Sequence, residues 1–149
     1  MADLLRTDSR NEEFKALVAQ LDADLALRDG PDHLYYDQFN KIVDIPYALL
    51  AFLGNKAVGC GAIKEFDPMS MEVKRMYLLP PYRGRGIASE VLKGLEIWAK
   101  ELGYERCVLE TGKKQPEAIA LYRKNGYLPI PNYGQYKGID NSVCFEKIL

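Results

Sequence analysis

A short loop rich in proline, arginine and glycine, PPYRGRGIA at residues 80–88, leads directly into the clearest helical pattern of the 149-residue sequence. The helix predicted over residues 87–102 carries apolar residues at helical spacing on one face, namely Val91, Leu92, Leu95, Trp98, Ala99 and Leu102. Strand-like segments, MEVKRMYLL before the loop and RCVLE after the helix, flank this pair. The sequence therefore predicts a β-α-β unit in which the loop stands at a helix N-terminus.

The segments before this unit predict a strand and two helices. A short strand is expected at residues 2–6, and Asp8 or Ser9 is expected to cap a helix that ends near Gly30. A weaker helix is predicted over residues 34–42. The chain is thus expected to begin with a largely helical region.

The segments YALLAFLG and AVGCGAIKEF read as the two strands of a hairpin joined by a tight turn. Gly59 and Gly61 in the second strand indicate a bulge or a close neighbour. After the β-α-β unit, Pro116 lies in the first turn of another helix, and SVCFEKI reads as a last strand. Because no linker or repeat interrupts these segments, we expect a single α/β domain over residues 1–149.

The composition favours small-molecule or protein partners over nucleic acid or a membrane. A formal net charge of −1 provides no basic surface for a polyanion. The three cysteines, Cys60, Cys107 and Cys144, show no metal-ligand spacing, and the single histidine is His33, so neither a metal nor a serine triad is expected. The sequence shows no secretory leader and no apolar run long enough to span a bilayer, which predicts a cytoplasmic protein.

The loop at residues 80–88 has the features of a phosphate cradle. Backbone N–H groups at a helix N-terminus are unpaired and carry partial positive charge. Gly84 and Gly86 remove side chains that would block these amides, and Arg83 and Arg85 add positive charge. The loop lacks the lysine of a P-loop and the third glycine of a dinucleotide fingerprint, and an ordinary connection between strand and helix stays open as an alternative.

A second motif, QPEAIALYRKNGY at residues 115–127, lies downstream of the loop, and together the two segments resemble the GNAT superfamily, the Gcn5-related N-acetyltransferases. The family's acetyl-CoA loop has the form Gln/Arg-x-x-Gly-x-Gly/Ala, which Arg83, Gly86 and Ala88 match. The preceding strand and the later helix match the family patterns at Met76, Leu78, Pro80, Ala118, Leu121, Tyr122, Lys124, Gly126 and Tyr127. Gln115 departs from the pattern, because many members have asparagine there.

The resemblance implies an α/β (α+β) GNAT fold, with a mixed central sheet of about six to seven strands, helices on both faces and splayed strands that hold acetyl-CoA. The pantetheine arm would pair with backbone near a bulge, and the pyrophosphate would rest on the loop amides. The cofactor-binding residues implied are Met76, Tyr77, Leu78, Arg83, Gly84, Arg85, Gly86, Ile87, Ala88, Ser89 and Gln115. No metal is implied.

The same resemblance implies direct transfer of acetyl from the thioester to a primary amine of a small molecule, without an acyl-enzyme. Tyr122 stands at the family's usual proton-donor position, and a phenol stays protonated at neutral pH, so it is expected to act as general acid. Glu72 is the preferred general base, and Glu110 or water stays open as an alternative.

The acceptor pocket is expected between the first-helix region and the C-terminal turns, with Tyr35, Tyr36, Tyr133 and Tyr136 as candidate lining residues. Three alternatives to a small-molecule acetyltransferase stay open: acetylation of a protein lysine or N-terminus, a non-catalytic CoA-binding sensor, and a plain phosphate- or nucleotide-binding domain. A panel of amines discriminates them, because a sensor binds CoA tightly without consuming acetyl-CoA. Whether the chain forms a homodimer is also open.

Overall fold

A computed structural model describes residues 1–30 and 44–149 of the chain. The helix predicted at residues 34–42 lies outside this part, as do His33, Tyr35 and Tyr36. The elements of the described part follow the predicted order. They are β1 (Asp3–Thr7), α1 (Glu12–Asp29), β2 (Tyr47–Leu53), β3 (Lys56–Asp67), β4 (Ser70–Leu78), α2 (Ile87–Glu101), β5 (Arg106–Gly112), α3 (Pro116–Lys124), β6 (Leu128–Ile130) and β7 (Ser142–Ile148).

The strands form one mixed sheet of seven in the order β1-β2-β3-β4-β5-β7-β6. Neighbouring strands are antiparallel, with the exception of β4 and β5, which run parallel. Parallel neighbours need a crossover connection, and here α2 and the loop before it supply that connection. The mixed sheet and the β-α-β unit predicted from the sequence are therefore confirmed.

Helices cover both faces of the sheet, as predicted. On one face α2 and α3 share a core cluster with strand residues that include Ile63 and Val73. On the other face α1 packs through Phe14, Leu17 and Val18 against a second cluster of strand residues. Within the residues that the structure describes, no helix is long and apolar enough to span a membrane.

Four of the six residues predicted on the apolar stripe form the buried face of α2, whereas Trp98 is half-buried and Leu102, which follows the helix, is exposed. Val91, Leu92, Leu95 and Ala99 are each at most 1% exposed. Burying four such side chains against the sheet stabilises the fold by several kcal/mol, at about 1.5–3 kcal/mol for a large aliphatic side chain. The helix therefore holds the glycine-rich loop at a defined place beside β4.

The capping residue of α1 differs from the prediction. Asn11 is the N-cap, and its side chain accepts hydrogen bonds from the backbone N–H groups of Glu13 and Phe14. Asp8 instead accepts from the backbone N–H of Arg10, and the Ser9 hydroxyl accepts from a backbone N–H beyond α1. Asp8 and Ser9 were wrong as caps because a capping side chain must stand directly before the first helical residue.

A bulge interrupts the pairing of β3 with β4. Cys60 pairs with Tyr77 and Ala62 pairs with Lys74, so Gly61 stands opposite two residues of β4. A Cβ at Gly61 would lie 2.6 Å from the sulfur of Met76, which confirms the close neighbour predicted for this glycine. In the part of the chain described, Arg75 is the one residue other than glycine with positive φ, at 59°.

The strands β4 and β5 separate after a short parallel contact. Their register covers Ser70–Glu72 and residues 106–108 and ends there. Beyond it β4 stays paired with β3, and β5 stays paired with β7 up to Gly112. The two parallel strands thus open into a wedge at their C-terminal ends, as the splayed strands of the prediction require.

Candidate active site

The wedge between β4 and β5 contains a cleft of about 350 Å³, which we call the cleft throughout. Its walls come from β4, β5, the loop before α2, the C-terminal half of α1, and α3. Of the predicted site residues, its lining includes Glu72, Met76, Tyr77, Leu78, Arg83, Gly84, Ala88, Gln115 and Tyr122. Residues from both motifs, far apart in sequence, therefore meet in one cavity.

Four predicted cofactor residues stand outside this lining: Arg85, Gly86, Ile87 and Ser89. The Ile87 side chain is buried in the core, and the Ser89 hydroxyl accepts a hydrogen bond from the Asn125 amide at 3.1 Å. The Arg85 guanidinium lies over the Tyr82 ring. Gly86 and Ile87 can contact an anion only through their backbone N–H groups, since glycine has no side chain and that of Ile87 is buried.

The glycines of the loop adopt the backbone conformation that L side chains disfavour. Gly84 and Gly86 have φ of 81° and 82°, and Gly86 is the N-cap of α2. Arg83 donates from Nε to the carbonyl oxygen of Leu78 at 2.9 Å, and its guanidinium lies over the Tyr77 ring. The loop is thus anchored to the end of β4, with a positive charge at the start of a 15-residue helix.

Tyr122 extends from α3 and is buried at 6% exposure. Its ring packs against those of Tyr127 and Phe145, with centroids 5.8 Å and 6.3 Å away. Burial raises the pKa of the Tyr122 phenol above its ordinary value, and the negative charge of Glu110 adds to the effect. The phenol therefore carries its proton throughout the neutral range.

Two carboxylates share the cleft with Tyr122. Glu72 is 8% exposed, accepts from the Tyr133 hydroxyl at 2.6 Å and lies 3.7 Å from the ammonium of Lys74. Glu110 accepts from the Ser142 hydroxyl at 2.8 Å. Both candidate bases are consequently held in place by hydrogen bonds from the C-terminal segment.

The tyrosines predicted for the acceptor side have different positions. Tyr136 lines the cleft, and burial, with the charges of Glu110 and Glu72, raises its pKa. Tyr133 reaches the site indirectly, because its hydroxyl holds Glu72 and its ring packs edge-on against Tyr136 at 5.8 Å. Burial, followed by the Glu72 charge, raises the pKa of Tyr133.

An ion-pair bridge joins α1 to α3 beside the cleft. Arg28 in the last turn of α1 pairs with Asp24 at 3.1 Å and with Glu117 in the first turn of α3. The hydrogen bond from Arg28 is the main cause that lowers the pKa of Glu117 to about 2. Sequence reasoning missed these residues, because no local pattern shows that the two helices meet.

The cysteines are structural. Burial raises the pKa of the Cys60 and Cys107 thiols to about 12 and that of Cys144 to about 11. None of the three belongs to the described lining of the cleft. Thiolate is the nucleophilic form, so these side chains are poor candidates for an acyl-enzyme. Among the described residues, no group of His, Cys, Asp and Glu is arranged to hold a metal ion.

Sequence comparison shows which known proteins this chain resembles. The model of the acetyltransferase (GNAT) family matches residues 11–127 of the chain. The IAA acetyltransferase of Azospirillum brasilense is 33% identical over 151 residues, which cover 96% of this chain and 97% of that protein.

Solved structures share the whole fold. A crystal structure from Klebsiella pneumoniae subsp. pneumoniae MGH 78578, whose name assigns it to the acyl-CoA N-acyltransferases, has a TM-score of 0.84 at 32% identity and covers 100% of this chain and 98% of its own. A GNAT family acetyltransferase from Elizabethkingia anophelis, solved with acetyl-CoA bound, has a TM-score of 0.70 at 19% identity. The match covers 99% of this chain and 98% of that one. The second likeness concerns the fold alone.

Proposed function

The chain belongs to the acetyltransferase (GNAT) family and is an N-acetyltransferase, and from this premise we propose that it moves acetyl from acetyl-CoA directly to the primary amine of a small molecule. The observation that carries the proposal is that Tyr122, Glu72 and Glu110 line one cleft together with part of the glycine-rich loop before α2. A proton donor for the departing thiolate and a carboxylate base for the acceptor ammonium are groups that assist acyl transfer from CoA to an amine.

The donor side fits a CoA thioester. The positive end of α2 and the glycines at its start suit a pyrophosphate, because they offer backbone N–H groups without side chains in the way. After Glu72, β4 no longer pairs with β5. The backbone near Met76 and Tyr77 on this edge therefore suits the amides of a pantetheine arm. The Leu78 carbonyl already accepts from Arg83 and is less suited to this role. When bound, acetyl-CoA supplies the thioester that is attacked.

Tyr122 donates the proton that the departing thiolate takes up. The departing thiolate has a pKa near 8.5 if it resembles cysteine, and a protonated phenol can donate to it. Burial keeps Tyr122 in the acid form, since a phenolate at this position would lose hydration and face the charge of Glu110. The environment thus keeps Tyr122 protonated at neutral pH, which is the form that a general acid needs.

The acceptor amine must lose a proton before it attacks. Glu72 is our preferred base, because it lines the cleft on the strand where the thioester would lie and is oriented by Tyr133. Glu110, on the opposite strand, is the alternative. Either carboxylate can act directly or through a water molecule.

Replacing Glu72 by glutamine is expected to lower kcat/KM at neutral pH by about 10²–10⁴-fold, the usual contribution of a general base. The loss should shrink as pH rises, because an amine with a pKa of about 10 then deprotonates in solution. Rate measurements across pH test this, with Glu110→Gln as the matched control. An unaltered profile for Glu72→Gln together with an alkaline shift for Glu110→Gln would assign the base to Glu110.

The size and walls of the cleft favour a small acceptor. A volume of about 350 Å³ lies at the lower end of the range for small-molecule pockets. The bridge from Arg28 to Glu117 ties α1 to α3 along one side of the cleft. Acetylation of a protein lysine or N-terminus is therefore the second candidate.

A screen of amines by mass spectrometry tests the proposal. The purified protein and acetyl-CoA are incubated with small amines, lysine peptides and peptides with free N-termini, and N-acetyl products are measured beside CoA release. We expect products among the small amines. Products confined to peptides would contradict the small-molecule acceptor, and tight CoA binding without any product would indicate the sensor.

A further inference from the structure

Arg75 is a buried cation in the wall of the cleft. Its side chain is 4% exposed, and its Nη1 donates to the Asp22 carboxylate in α1 at 2.7 Å. Its Nη2 is buried and has no hydrogen-bond partner among the described residues. Four side-chain polar atoms in the described part of the chain share this condition, and of their residues Arg75 alone belongs to the cleft lining.

The bulge in β4 is the reason that Arg75 lies on this face. Val73 and Met76 both pack into the α2 cluster although three positions separate them, whereas regular alternation would place them on opposite faces. Lys74 pairs with Ala62, a member of the α1 cluster, and Arg75 pairs with Asp22 of α1. Two adjacent cations therefore share the α1 side of β4.

Lys74 and Arg75 differ in the partners of their charged groups. The Lys74 ammonium lies 3.7 Å from the Glu72 carboxylate. The Arg75 guanidinium uses Nη1 for Asp22 and keeps the donors of Nη2 unused. A buried donor without an acceptor is unfavourable, so an anionic group that reached this nitrogen would satisfy it.

We propose that the acceptor is an amine that also carries a carboxylate, as an amino acid does, and that Nη2 of Arg75 binds this carboxylate. The inference rests on the proposed function, since it concerns the acceptor side of the same cleft. Glu72 and Glu110 also line the cleft, so the ammonium and the carboxylate of a zwitterion each find an opposite charge there. A polyamine or an aminoglycoside-like compound would instead bring its positive groups against Arg75 and Lys74.

The test compares standard α-amino acids with their decarboxylated, carboxamide and aminophosphonate counterparts as acceptors. For the wild type we expect the amino acid to have the highest kcat/KM of each set. For Arg75→Met we expect kcat/KM for the amino acid to fall about 10- to 100-fold, as for loss of a hydrogen bond between charged groups, with a much smaller change for the decarboxylated amine.

Asp22→Asn is the matched control, because it breaks the same ion pair and keeps the guanidinium. It should retain the preference for the carboxylate, whereas a role of Arg75 in folding alone would make both variants lose it. Thermal unfolding and acetyl-CoA affinity are measured for each variant to confirm that the donor side is intact.

Each outcome has a distinct meaning. Equal or better use of decarboxylated amines by the wild type would overturn the inference and leave the proposed function standing. Preference for the aminophosphonate would assign Arg75 to a phosphate-type anion and contradict the carboxylate. No acetylation in any set, with acetyl-CoA bound normally and no product in the wider amine screen either, would contradict the proposed function itself.

Discussion

Replacing Tyr122 by phenylalanine is expected to lower kcat for acetyl transfer by about 10²–10⁴-fold, the range for loss of a general acid. The affinity for acetyl-CoA should change little, because phenylalanine keeps the ring contacts with Tyr127 and Phe145. Steady-state rates with an acceptor found in the amine screen, together with calorimetry of acetyl-CoA binding, measure both quantities. Unchanged turnover would remove Tyr122 as the acid.

Tyr127→Phe is the matched control for this substitution. Tyr127 is 2% exposed, its ring contacts that of Tyr122, and its hydroxyl is buried. It is not among the residues that line the cleft. The control removes a buried phenol hydroxyl from the same core, so kcat should stay near the wild-type value. A similar loss in both variants would indicate a packing effect.

Replacing Gly86 by valine is expected to weaken acetyl-CoA binding by about 100-fold, which corresponds to about 3 kcal/mol of charge-assisted hydrogen bonding. Gly86 has φ of 82° at the start of α2, and a β-branched residue there would both strain the backbone and cover the amides. Calorimetric titration with acetyl-CoA measures the loss. A variant that binds normally would contradict the phosphate cradle.

The control must separate backbone strain from loss of the cradle. Gly103 follows the other end of α2, has φ of 96° and, like Gly86, has open space in the described structure where a Cβ would lie. Gly103→Val should therefore lose about as much stability, roughly 1–2 kcal/mol for a left-handed residue. Its affinity for acetyl-CoA should match that of the wild type, since Gly103 is outside the cleft lining.

The elements that depend on local pattern were predictable. The stripe on α2 repeats every three to four residues, and four of its six residues form the buried face of a helix that begins at Ile87 as predicted. The loop ahead of it combines glycines with a helix start, and its two glycines adopt positive φ. These features depend on residues a few positions apart, which the sequence displays directly.

The cap of α1 shows the limit of such local reasoning. Asp8, Ser9 and Asn11 all have side chains that cap helices, and residue type alone does not rank them. In the fold Ser9 exchanges two hydrogen bonds with Ile45, whose backbone lies 36 positions away in the sequence. A distant contact thus decides which of three similar residues caps the helix.

The candidate site also contains residues that the sequence predicted and partners that only the structure shows. Tyr122 and Glu72 were identified because they lie on motifs, and the structure brings both to the cleft. The hydrogen bond from Tyr133 to Glu72 joins residues 61 positions apart, and the pair of Arg28 with Glu117 joins residues 89 apart. No periodicity connects positions so distant, so the partners that orient the site had to come from the structure.

The sequence by itself determined the order of strands and helices, the glycine-rich loop at the start of α2 and the family, because each rests on short-range spacing. The tertiary structure alone decided which side of β4 its charged residues face. Regular alternation would place Lys74 and Arg75 on opposite faces, and the bulge opposite Gly61 brings both to the α1 side. The physical reason is that one extra residue in a strand reverses the facing of every residue after it, and only the pairing with β3 shows where that residue lies.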